Sequence, residues 1–132
     1  MAKRNGAMGM LLVVSALLLA VESPVQNIEG RWQTGRGAFF VIQQSGTKFS
    51  GVIEGRPGER TYKIVDGELR GKEVSFFVLH DAKDDSEVVE NGGKPFRNTA
   101  AGVVEGDEMT IAGAREGTGQ RAYKLTLKRV KE

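Results

Sequence analysis

Cysteine is absent from this chain, and histidine and tryptophan occur once each. Without cysteine the fold has no disulfide to rest on and must be held by apolar burial and sheet hydrogen bonds. The lipidated cysteine of a bacterial lipoprotein anchor is missing as well. A lone histidine and no thiolate leave a transition-metal site without its usual ligands. Histidine catalysis of the serine-triad kind also lacks support: no Gly-X-Ser-X-Gly elbow exists, and Ser75 lies five residues upstream of His80 on the same strand. His80 is therefore expected at a strand end facing solvent, and no catalytic residue is assigned.

Long apolar runs are scarce too. One occurs, Met8 to Leu19, behind Lys3 and Arg4 and ahead of the small residue Ala20. It has the length of a secretory apolar core and falls short of the roughly 20 residues of a membrane span. The expected organisation is a signal peptide over 1–20, a linker over 21–27 and one domain over 28–132. The protein is then secreted or periplasmic, with no stable membrane anchor after cleavage. Excess charge of one sign disappears with that segment, since 19 Lys+Arg against 17 Asp+Glu become 17 against 17. Nucleic acid loses its electrostatic support as a partner.

What remains is rich in glycine, holding 16 of the chain's 18, spaced between short alternating segments. Gly51-Val52-Ile53-Glu54-Gly55 and Gly102-Val103-Val104-Glu105-Gly106 are near-copies of one another. Each reads as a half-buried strand ending at a glycine turn, the pattern of an antiparallel meander. The expected strands are Ile28–Gln33, Ala38–Gln44, Lys48–Glu54, one carrying Tyr62 and Ile64, Glu73–Leu79, Phe96–Glu105, Glu108–Ala114 and Arg121–Val130. Positive φ is expected at Gly58, Gly67 and Gly106. Eight short strands joined by tight turns close most economically into an all-β up-and-down barrel, which removes exposed edges; a two-layer sandwich is the alternative.

Gly30-Arg31-Trp32 on the first strand, followed by this meander, resembles the lipocalin and avidin (calycin-type) barrels. The spacing of Asp66-Gly67-Glu68-Leu69-Arg70-Gly71 before a strand through Phe76 is also similar to that of small secreted bacterial proteins of unassigned function. The lipocalin resemblance implies that Trp32 plugs the barrel base beneath Arg129 of the last strand. It leaves the ligand open: the polar and tryptophan cage of avidin has no counterpart, and the terminal lipocalin helix is missing.

Aromatics fall about one per strand, and a barrel of eight strands is wide enough to be filled by side chains or to hold one small ligand. Phe49, Tyr62 and Tyr123 are the candidate lining residues. Phe39-Phe40-Val41-Ile42 and Phe76-Phe77-Val78-Leu79 are apolar on both faces. Their outward sides offer a surface to a protein partner unless a loop covers it. The one long connection, residues 80–94, carries five acids, and Asp84 is placed to cap a single helical turn. Its spacing departs from a calcium loop at three positions, so no metal is expected. Glu54 and Glu105, closing the twin motifs, read as polar-face residues rather than a glycosidase pair. The expectation is an exported, non-enzymatic binding protein without cofactor, taking a small apolar or aromatic ligand. The alternatives are a protein-contact or structural module of the envelope and, behind it, an enzyme of unknown class.

Overall fold

The computed structural model describes residues 25–117 and 121–131. The proposed signal peptide and the start of the linker lie outside the described residues. Eight antiparallel strands close into a barrel in sequence order: β1 (Gly30–Thr34), β2 (Phe39–Ser45), β3 (Lys48–Glu54), β4 (Tyr62–Arg70), β5 (Glu73–His80), β6 (Phe96–Glu105), β7 (Glu108–Arg115) and β8 (Arg121–Arg129). One short helix, α1 (Ser86–Glu90), interrupts the β5–β6 connection. Closure comes from β1 pairing with β8, Trp32 opposite Arg129 and Thr34 opposite Leu127. Among the described residues no sheet edge is left for a second chain to pair with.

Alternation sorts the side chains. On β5, Val74, Phe76, Val78 and His80 are buried, while Glu73 and Ser75 are exposed. The twin motifs owe their glycine to close approach. A β-carbon on Gly51 would lie 2.0 Å from the Val41 carbonyl oxygen, and one on Gly102 would lie 1.8 Å from that of Thr110. Both are points where the neighbouring strand's backbone comes too close to admit a side chain.

The two ends of the barrel differ. At the base, residues 25–29 run in from outside and cross the opening. Ile28 is fully buried, its carbonyl accepts from Trp32 Nε1 at 2.9 Å, and its N–H donates to Gln44 Oε1 at 2.7 Å. The first strand therefore begins two residues later than its apolar pattern suggests: Gly30, at φ 127°, turns the chain, and Ile28 becomes a plug residue. Above it the lower barrel is filled. Phe76 meets Phe40 and Phe49 edge to face, at 6.2 and 5.9 Å between ring centres.

Two turn details depart from expectation. Gly58 and Gly106 have φ of 88° and 60°, but Gly67 does not adopt positive φ; Asp66 does, at 51°. Asp66-Gly67 sits in a bulge of β4, and the strand continues through it to Arg70. The helical turn is capped by Asp85 rather than Asp84, since the Asp85 carboxylate accepts the Glu87 N–H at 2.9 Å. Asp84 instead pairs with Arg60 at 3.0 Å.

Candidate functional site

The end opposite the plug carries the β1–β2, β3–β4, β5–β6 and β7–β8 connections, with α1 among them. There the inward side chains no longer meet, and they leave a cavity of about 360 Å³. Phe40 and Val78 form its floor, above the Phe76 cluster, and Ile53, Tyr62, Tyr123 and Leu125 contribute apolar wall. Polar groups converge at its upper side: Thr34 and Arg36 from the first hairpin, Arg56 and Glu59 from the second, and His80, Glu87 and Asn98 around α1. An apolar chamber with a few placed polar groups is the usual form of a small-molecule site.

His80 is buried, not solvent-facing, because it continues the inward row of β5. Its imidazole stacks on Phe96 at 4.6 Å with an interplanar angle of 9°, and its other face meets Tyr62 at 4.5 Å. The Arg115 guanidinium covers the far side of Phe96 at 3.9 Å. Nδ1 lies 3.1 Å from Asp85 Oδ2, and Asn98 Nδ2 lies 3.2 Å from Nε2. The ionised Asp85 carboxylate can only accept, so the Nδ1 contact is donated by the ring, and the Asn98 amide stands against Nε2. Burial pushes the Asp85 carboxyl up, but the Glu87 N–H and the His80 contact outweigh it, and the group is held below its ordinary value. Asp85 thus ties three things together: the helix start, the end of β5 and the rim of the cavity.

His80 Nδ1 and one carboxylate oxygen each of Asp85 and Glu87 lie within 4.8 Å of one another, close enough to ligate one ion. Each already has a protein partner: Asp85 with the helix and His80, Glu87 with Arg115 at 3.7 Å. That arrangement reads as a structural knot.

Of the three lining candidates, Tyr62 and Tyr123 come together in the cavity and Phe49 does not. Phe49 is buried lower down against Phe76, its ring lying over Gly67. It borders only an open depression of about 660 Å³ near the base, whose other walls are polar, such as Gln43, Lys48, Asp66 and Glu68. Tyr123 is the unusual member. Its hydroxyl is buried and has no hydrogen-bond partner among the described residues, and burial pushes its pKa up to about 12. Trp32 and Arg129 sit at the base, the guanidinium 4.3 Å over the indole. Arg129 also donates to the Asn27 carbonyl at 2.8 Å and pairs with Asp107 at 2.9 Å, fastening the plug.

Sequence reasoning missed His80 and Asn98. The signal was present, since His80 is in phase with Val74, Phe76 and Val78, and Asn98 with Ala100 and Val104. Glu54 and Glu105 close strands at opposite ends of the barrel and pair with Arg31 and Lys72, each at 3.2 Å. They share no cleft. No protein-family model matches the chain, and no curated protein does.

Proposed function

We propose that this protein is an exported, lipocalin-like binding barrel that takes a small ligand with an apolar or aromatic body into the cavity beside α1. The observation that carries this reading is the contrast between the two halves of one barrel. The base is packed and plugged, whereas the helix end keeps an apolar chamber of about 360 Å³ with a buried hydroxyl unpaired among the described residues. A core built only for stability gains by filling such a space, because lost contacts and an unsatisfied buried hydroxyl both cost free energy. The Trp32–Arg129 stack beneath an entering N-terminal segment supports the lipocalin comparison. Export fits the same picture: cleavage after Ala20 leaves Gln26, Asn27 and Ile28 to close the base.

The rival reading, a protein-contact module, rests on the outward aromatics of β2 and β5. There Phe39 lies under Arg31 at 4.2 Å and Phe77 under Arg97 at 3.9 Å, which shrinks the apolar patch that reading needs. The test is titration with the uncharged fluorophore 1-aminoanthracene. Saturable binding at one site is expected, and Leu125→Trp, which fills the chamber, abolishes it while the fold persists. Binding that ignores Leu125→Trp, or no binding at all, overturns the proposal.

A further inference from the structure

The connection between β5 and β6 leaves α1 through Asn91-Gly92-Gly93, residues that take no part in lining the cavity. Among the described residues Asn91 is the asparagine followed by glycine; Asn27 precedes Ile28 and Asn98 precedes Thr99. The chain's other Asn-Gly pair, Asn5-Gly6, lies outside them. That pairing has a chemistry of its own. The main-chain nitrogen after an asparagine can attack the side-chain carboxamide, and glycine offers no β-carbon to hinder the approach. Space around Gly92 is open, with no atom within 4 Å of where a β-carbon would stand.

Helix α1 holds this reaction in check. Asn91 is its C-terminal cap, with φ −89° and ψ 23°. That ψ sets the Gly92 nitrogen on the far side of the Cα–C bond from the carboxamide. The Gly92 N–H donates to the Val89 carbonyl at 3.1 Å, and the Gly93 N–H to that of Val88 at 2.9 Å. Asn91 Nδ2 donates to the Lys94 carbonyl at 2.8 Å. Attack requires the cap to turn and both the Val89 and Lys94 bonds to break. The restraint is weak, however. The helix has five residues, one buried side chain, Val88, and no basic residue in its last turn. An element held so lightly opens locally while the barrel stays folded. The barrel itself guards the other two asparagines. Asn98 is buried against His80, and Asn27 is followed by β-branched Ile28, whose N–H is held by Gln44.

We propose that Asn91 is a self-modification site whose reaction is released by the opening of α1. The Gly92 nitrogen bonds to Asn91 Cγ, the Cγ–Nδ2 bond breaks, and the proton from the Gly92 nitrogen leaves with the amide as ammonia. Water then opens the cyclic imide. Cleavage between nitrogen and Cγ gives aspartate; cleavage at the main-chain carbonyl gives isoaspartate, with one more carbon in the backbone. Either product replaces the carboxamide with a carboxylate, which cannot donate to the Lys94 carbonyl. Its negative charge also opposes the helix dipole at that end, so the turn does not re-form as before. The change is one-way, and it loosens the helix that carries Glu87 at the cavity rim.

Incubation of the full chain at mildly alkaline pH, followed by peptide mass spectrometry, tests the proposal. Asn91 is expected to convert ahead of Asn27 and Asn98, and more slowly than in the urea-unfolded chain. Asp85→Ala removes the cap at the other end of α1 and should speed conversion about fivefold, the population change that loss of such a cap brings. Val88→Ala trims the anchor of the helix without altering any strand and should act in the same direction, even if Asp85→Ala fails to fold. Amide exchange at residues 89–93 should quicken in both variants and in Asn91→Asp. Absence of conversion at Asn91, earlier conversion of Asn27 or Asn98, a rate equal to that of the unfolded chain, or a rate unmoved by the variants that fold overturns the proposal.

Discussion

Gly67 admits no β-carbon: one built there would lie 2.5 Å from the Phe49 ring and 2.6 Å from its carbonyl oxygen. Gly58 has open space around it but a φ of 88°. The two glycines are needed for different reasons, and alanine distinguishes them. Gly58→Ala should cost about 1 kcal/mol of backbone strain. Gly67→Ala forces the Phe49 ring off Phe76 and should cost more, about 1–3 kcal/mol as overpacking does. Urea unfolding of both variants decides, and equal costs would contradict the packing role of Gly67. Trp32→Ala, which empties a fully buried site, should cost about 3–5 kcal/mol. An unchanged unfolding midpoint would contradict its place in the plug. Turn glycines were legible in the sequence because Pro57-Gly58 and Gly106-Asp107 are local signals. The role of Gly67 was not, because it depends on a ring eighteen positions away, brought over it by pairing of β3 with β4.

Two irregular elements, the plug and α1, close the two ends of the barrel differently. Helix α1 is five residues long and has one fully buried side chain, Val88. It stands mainly through Asp85. Asp85→Ala removes both the cap and the His80 partner, whereas Asp85→Asn keeps a good capping residue. Asp85→Ala should therefore be the more destabilising of the two by about 1 kcal/mol in urea unfolding. Because the folded state holds the Asp85 carboxyl below its ordinary value, its contribution is present above the unfolded value near pH 4 and is lost as pH falls through the lower folded value. The gap between wild type and Asp85→Asn should thus be wide at pH 7 and shrink as pH falls below about 4. A gap that widens on acidification would contradict that sign. For the plug, a chain begun at Glu29 loses the burial of Ile28 and orphans Trp32 Nε1. Roughly 2–5 kcal/mol should go with them, read from the shift in the denaturation midpoint. The strands were legible from their alternation, to within a residue or two at most ends. The part of Ile28 in the plug was not, because its side chain continues the apolar pattern of β1 and only the φ of Gly30 turns it across the base.

For the molecule as a whole, closure of the barrel followed from the strand count and turn spacing, but the distribution of filling within it did not. Aromatics spaced one per strand are compatible with a solid core or a hollow one. Phe40, Phe49 and Phe76 meet at one level and fill it, whereas Tyr62 and Tyr123 line the chamber at the helix end. Residue order alone does not give that vertical placement; it is set by the register of the strands and by the two bulges against β4. Export is a claim at the same scale. Mass spectrometry of the secreted or periplasmic fraction should find a chain beginning near Val21, and recovery of only the full-length chain in membranes would contradict it.

The central claim is that one end of this barrel is a binding chamber and the other a sealed base. Methyl-resolved NMR during titration with 1-aminoanthracene tests it most directly. The account predicts saturable shifts of the Ile53, Val78 and Leu125 methyls, with Ile28, Leu69 and Val104 at the plugged end unmoved. Shifts confined to the base or to the outward residues Val41 and Val52, or no saturable shift at the helix end, would contradict it.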